Sequence, residues 1–166
     1  MARKISLYSL LIATIVVLSL MVLIPVPATS GFVTLCDAGI YAVSLTFGPL
    51  AGAVVGGLSG GMIDFFSGYP QWMFFSVVIH GLQGFIAGTV YQKRKRTQFL
   101  GVVIGSVVMI LGYALATALL YGQAAGWASI LGNFMQSGFG LVAGIPLSHL
   151  LKRAVAASYM RQKQKM

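Results

Sequence analysis

The placement of the basic residues most constrains what this chain can fold into. All eleven lysines and arginines fall in three clusters: Arg3 and Lys4; Lys93, Arg94, Lys95 and Arg96; and Lys152, Arg153, Arg161, Lys163 and Lys165. Each cluster sits at the end of a long apolar run. That is the pattern by which Lys and Arg hold helix ends on the cytoplasmic side of a bilayer. Only 8% of the residues are charged and 58% are hydrophobic, whereas an ordinary soluble domain is about a quarter charged. An all-α integral membrane protein follows. The formal net charge of +9 would suit nucleic acid, but charge confined to helix ends anchors the chain against anionic lipid, so no nucleic-acid partner is expected. The single cysteine, Cys36, excludes an intramolecular disulfide and any cysteine-based metal cluster.

The first apolar run covers about residues 5–24. It is long enough to span roughly 30 Å of hydrocarbon and longer than a secretory signal core, so it reads as a retained first helix. It stops at Pro25-Val26-Pro27, and Thr29, Ser30 and Gly31 suggest a turn. The stretch 38–66 is too long for one span and short for two. If the clusters at Arg3 and at Lys93 both face the cytoplasm, an even number of crossings separates them. Residues 38–66 must then go in and return, turning at Gly48-Pro49, where proline disfavours helix geometry in the residue before it. The inward leg is only about 15 Å long. It should be short, tilted or partly unwound, and irregular backbone at such depth survives only beside protein or a water-filled cavity.

The expected architecture is one domain, 1–166, of six transmembrane helices at about 5–24, 38–47, 50–66, 72–92, 98–121 and 127–151. The second helix is short or broken, both termini are cytoplasmic, and 152–166 form a basic tail. External turns are expected at 67–71 and 122–126. Gly48, Gly52, Gly56 and Gly60 recur in four-residue steps, continued by Asp64 and Gly68. On a helix they form a ridge without side chains, against which a second helix can pack closely in a membrane. Asp37 and Asp64 are the only acidic residues.

Few polar side chains fall inside the apolar runs. His80 and Gln83 lie three apart on helix four, about 12 and 17 Å below its outer end. Asn133 and Gln136 lie three apart on helix six, at about 9 and 14 Å. Gln136 continues a small-residue ridge of Gly132, Gly140 and Gly144, and Tyr113 on helix five is at a similar depth. Polar groups in hydrocarbon face a partner, a cavity or a ligand. This set offers donors, acceptors and aromatic rings to a small polar heteroaromatic molecule. Trp72 and Trp127, at two outer helix ends, read as anchors in the interfacial aromatic belt.

No acid–histidine–cysteine cluster, no GxxxxGK and no neighbouring carboxylates occur in the sequence. Ser76 lies one turn from His80, weak grounds for a nucleophile and only a distant third reading as a membrane-embedded hydrolase. No catalytic residue, metal site or cofactor is expected.

The exit from helix one, the stretch GFVTLCDAGIYAVSLTFGPLAGAVVGGLSGGMIDFFSGYPQW and the following HGLQGFIAG resemble the substrate-binding S components of energy-coupling factor (ECF) vitamin transporters. The resemblance covers roughly residues 5–151 and is strongest over 25–88, in the element DAxx(six residues)FGPLAGA from Asp37 to Ala53 and in the SGYPQW turn. It is closest to the branch for hydroxymethylpyrimidine, pyridoxine-like and riboflavin-type substrates. It implies a non-enzymatic binder of a vitamin or precursor in a bacterial cytoplasmic membrane, with pyridoxine or hydroxymethylpyrimidine ahead of riboflavin. The implied partners are a transmembrane coupling subunit and two cytoplasmic ATPase subunits. Such subunits are thought to topple in the membrane with ligand bound in the outer half.

The expected ligand-binding set is His80, Gln83, Asn133, Gln136, Tyr113, Asp37, Tyr69 and Asp64, with Asp37 and Tyr69 closing an external lid. The family's alanine-xxx-alanine docking motif on helix one reads here as Ser9 and Ala13, followed by Val17. The alternative is a small membrane scaffold whose glycine faces serve oligomerisation alone.

Overall fold

A computed structural model describes residues 2–26, 31–93 and 97–163. The expected turn at Thr29 and Ser30, the basic residues Arg94 to Arg96, and Lys165 lie outside them. Six helices are present among the described residues: α1 (Ala2–Met21), α2 (Cys36–Phe47), α3 (Pro49–Phe66), α4 (Met73–Lys93), α5 (Gln98–Tyr121) and α6 (Gln123–Lys163). Five are long and apolar enough to cross a membrane; α2 is the short one.

The hairpin follows the sequence closely. α2 ends at Phe47, Gly48 takes φ 93°, and Pro49 occupies the first turn of α3. The Gly48 amide donates to Ser44 O at 3.0 Å and its carbonyl accepts from the Gly52 amide at 3.0 Å, so the reversal leaves neither group of Gly48 unpaired. At twelve residues, α2 is about 18 Å long. It is a regular helix rather than an unwound leg, because protein surrounds it: Ile40, Tyr41, Ala42, Val43, Ser44 and Leu45 are all buried. It packs against α3, α4 and α6.

The glycine ridge of α3 is spent inside the chain, against α4. A Cβ on Gly56 would lie 2.8 Å from His80 O, one on Gly57 2.7 Å from Val77 O, and one on Gly52 2.6 Å from Gly84 O. The two backbones thus approach to a distance that no side chain allows. The ridge of α6 does the same to α2, where a Cβ on Gly140 would lie 2.5 Å from Asp37 Cβ and one on Gly144 2.8 Å from Tyr41 Cβ.

Three expectations are corrected. Helix one ends at Met21 rather than near residue 24, because the chain then pairs as a two-stranded antiparallel ribbon, β1 (Ile24–Val26) with β2 (Gly31–Val33). The turn expected over 122–126 shrinks to Gly122, whose φ of 92° reverses the chain alone, and α6 starts at Gln123. With α6 counted from there, Asn133 and Gln136 lie about 15 and 20 Å along it instead of 9 and 14. Finally, α6 does not stop near 151. It continues to Lys163 through Pro146, forty-one residues in all. That is about 60 Å, twice the hydrocarbon thickness, so one end projects past the bilayer and carries Lys152 and Arg153 with it.

Candidate functional site

Asp37, in the first turn of α2, is the centre of a buried polar network. Its carboxylate accepts from Gln83 Nε2 at 2.9 Å, Gln136 Nε2 at 3.1 Å and Ser137 Oγ at 2.8 Å. One side chain thereby joins α2 to α4 and α6. The other amide hydrogen of Gln83 goes to Tyr41 Oη at 2.8 Å, and Tyr41 pairs with Ser106 Oγ on α5 at 2.7 Å. With both Gln83 donors committed, its Oε1 must accept the 2.7 Å bond from His80 Nδ1. His80 Nε2 then accepts from the Tyr113 hydroxyl at 3.0 Å, which in turn takes the hydrogen of Ser76 Oγ. His80 Nδ1 lies 3.9 Å from Asp37 Oδ1, outside hydrogen-bond range, so Gln83 is its partner. Gly60 supplies the room for the His80 ring, against which any Cβ at that position would clash.

Above this network lies a cavity lined by residues that include Thr34, Cys36, Asp64, Trp72, His80, Tyr113, Ser129, Asn133 and Gln136. Its atom-free space reaches 630 Å³ counted to the open mouth, of which about 60 Å³ admits the centre of a water molecule. Gln136 links network and mouth: its Oε1 accepts from the Thr34 amide at 2.7 Å, just after β2. The ribbon between α1 and α2 is therefore held through a glutamine that Asp37 orients.

Five of the eight expected ligand residues line the cavity: Asp64, His80, Tyr113, Asn133 and Gln136. Gln83 does not; it is wholly buried beneath, positioning His80. Asp37, expected in a lid, is likewise fully buried, held there by its three donors. Tyr69 is half-buried and packs on the cluster of Trp72, Ile79, Met109 and Ala116. The Asn133 amide donates to Ser129 O within α6 at 3.0 Å.

Sequence reasoning missed Tyr41, Ser106 and Ser137 in the network, although Tyr41 stands one turn from Asp37 on the same face. It also misplaced Trp72. That residue is 5% exposed, lines the cavity and packs against Phe75, Tyr113 and Tyr121 with centroids 5.9–6.1 Å apart, whereas Trp127 is 75% exposed, as a belt anchor should be. Trp72 closes the 3₁₀ turn Pro70–Trp72 that leads into α4 and packs inward within that aromatic cluster.

Ser9, Ala13 and Val17 lie on the exposed side of α1, while Ile12, Ile15 and Val16 face the core shared with α2 and α3.

These features define a multi-pass helical membrane protein with a polar cavity enclosed among its helices. Comparison with known proteins specifies the class. The sequence model of the ECF-type riboflavin transporter S component matches residues 1–153. A thiamine precursor transporter, HmpT, of Lactococcus lactis subsp. cremoris (strain MG1363) is 33% identical over 152 residues, covering 91% of this chain and 89% of the relative. An uncharacterized protein from the gap 3' region of Pyrococcus woesei is 34% identical over 145 residues, 85% of this chain and 96% of the relative. The solved S component of a bacterial ECF transporter shares the fold, with a TM-score of 0.65 and 21% identity over 95% of this chain and 98% of its own. The chain belongs to the family of ECF transporter S components, and its role is transport rather than catalysis.

Proposed function

We propose that this protein binds a single-ring, water-soluble vitamin or vitamin precursor for uptake, a hydroxymethylpyrimidine or pyridoxine-like molecule ahead of riboflavin. The observation that carries the reading is the cavity itself, with apolar and aromatic walls and a few fixed polar groups contributed by α3, α4, α5 and α6. Its size favours one ring over three. The space open to the centre of a water molecule, about 60 Å³, is smaller than the roughly 150 Å³ cavity that accepts benzene, so even one ring must extend into the mouth. The relative HmpT, a thiamine precursor transporter, supports the smaller ligand.

Membership of the family supports a reading in which the energising partners are a transmembrane coupling subunit and two cytoplasmic ATPase subunits, in a bacterial cytoplasmic membrane with both termini inside. The exposed Ser9–Ala13 face of α1 is the docking surface for the coupling subunit. The scaffold alternative loses its main support, because the α3 glycines are occupied by α4 within the same chain. The test is to denature protein purified without added ligand and identify what is released by mass spectrometry. A pyrimidine or pyridine precursor is expected. Release of a flavin would overturn the size argument, and release of nothing, with no binding across a vitamin panel, would overturn the reading.

A further inference from the structure

Five buried side-chain atoms have no hydrogen-bond partner among the described residues: Ser19 Oγ, Ser59 Oγ, Ser67 Oγ, Asp64 Oδ2 and Trp72 Nε1. The last two belong to residues that line the cavity, and those residues are only 6% and 5% exposed. The three serines lie outside its lining. Buried polar atoms in folded proteins are satisfied almost without exception, so two orphans on one cavity call for a common partner. Their chemistry is complementary: a carboxylate oxygen only accepts and an indole N–H only donates.

The other polar groups on the wall are largely committed. His80 is bonded to Gln83 and Tyr113, Tyr113 to Ser76, and Gln136 to Thr34 and Asp37. Among the described residues no lysine or arginine lines the cavity, and the one neighbour that hydrogen-bonds Asp64, Ser76, is shared with Tyr113, which leaves a ligand N–H as the fitting donor to Asp64 Oδ2.

We infer that Asp64 and Trp72 form the selectivity pair of this site. They choose a ring with an exocyclic amino group beside an accepting ring nitrogen, an aminopyrimidine. The amino group donates to Asp64 and the ring nitrogen accepts from Trp72. A ring carrying a carbonyl where the amino group would be sets oxygen against the carboxylate and is rejected. The inference rests on the vitamin-precursor reading and narrows it to one ligand class.

The test compares two probes, 4-amino-5-hydroxymethyl-2-methylpyrimidine and its 4-oxo counterpart, by calorimetric titration of the purified protein and of Asp64→Asn and Trp72→Phe. The wild type is expected to prefer the amino compound by about ten- to a hundredfold, the range for a hydrogen bond to a charged group. Asp64→Asn, whose amide can donate to a carbonyl, should shrink or reverse that preference. Trp72→Phe should weaken the amino compound and narrow the preference, because the 4-oxo ring carries a hydrogen on the nitrogen beside its carbonyl and never accepts from the indole. An unchanged preference in Asp64→Asn protein that melts like the wild type would overturn the selectivity pair and leave the vitamin reading standing. Equal affinity of the two probes for the wild type would do the same without any variant. Failure of the wild type to bind either probe or pyridoxine would overturn both.

Discussion

Replacing Asp37 tests whether its carboxylate ties three helices together. Asp37→Ala strands three donors, on Gln83, Gln136 and Ser137, of which Gln83 keeps a bond to Tyr41 and Ser137 only a weak one to Met109 Sδ. Neutral interhelical hydrogen bonds in membranes average about 0.6 kcal/mol, which would put the loss near 2 kcal/mol. Bonds to a charged group are worth about 1.5–3 kcal/mol each, which puts it at about 4.5 kcal/mol or more. Full burial of the carboxylate favours the larger figure, so a loss of at least about 3 kcal/mol is expected. Asp37→Asn separates the terms. Its single carbonyl can keep Gln83 and Ser137, but its amide then faces the Gln136 amide. Gln136 cannot turn over without abandoning the Thr34 amide. One bond is lost either way, so the cost should be about a third of that for alanine. Thermal unfolding in detergent is the assay: at about 2–4 °C per kcal/mol for a chain of this size, alanine should lower the melting temperature by at least about 6 °C and asparagine by about 2–4 °C. An alanine variant within about 1 kcal/mol of the wild type would refute the tie.

Gly56→Ala places a Cβ 2.8 Å from His80 O and should cost about 1–3 kcal/mol by forcing α3 from α4. Gly138→Ala, with nothing within 4 Å, should be neutral or stabilise by up to about 1 kcal/mol; equal melting of the two variants would contradict close packing as the glycines' role. Ser9→Leu with Ala13→Leu, both on exposed positions of α1, should leave stability within about 0.5 kcal/mol yet abolish co-purification with the coupling subunit, and unchanged recovery would exclude that face. Cysteines introduced by Phe47→Cys and Ser67→Cys should label from opposite sides of the membrane, since Cys36 is buried and gives little background; labelling from one side would end the α2–α3 hairpin as a crossing pair.

Much of this fold is legible because a bilayer leaves few options. Apolar runs with basic ends must be helices, and the Gly48-Pro49 reversal and the glycine ridge carry their geometry in backbone chemistry alone. The ribbon between α1 and α2 is not legible in that way. Ile24-Pro25-Val26 has too few residues for a period of two to show, and its pairing with Gly31-Phe32-Val33 is a tertiary fact. The continuation of α6 was hidden by the basic residues from Lys152 on, which read as the end of the span although a helix can run on beyond the bilayer with its charges in water.

The polar residues on α4 and α6 could be found because a glutamine or histidine in an apolar run has no other reason to be there. Their division of labour could not. Asp37 and Asp64 look equivalent in the sequence, yet the first is saturated by three donors and the second leaves an oxygen unpaired beside the cavity. Trp72 and Trp127 likewise both stand at helix ends, and only the packing of Tyr113 and Tyr121 tells the inward ring from the outward one.

That difference between the chain's two tryptophans gives the most direct test of where ligand sits. Titrating purified protein with 4-amino-5-hydroxymethyl-2-methylpyrimidine or pyridoxine should change tryptophan fluorescence through Trp72. The change should vanish in Trp72→Phe and persist in Trp127→Phe. A signal that survives in Trp72→Phe and disappears in Trp127→Phe would put the ligand outside the cavity and contradict the account.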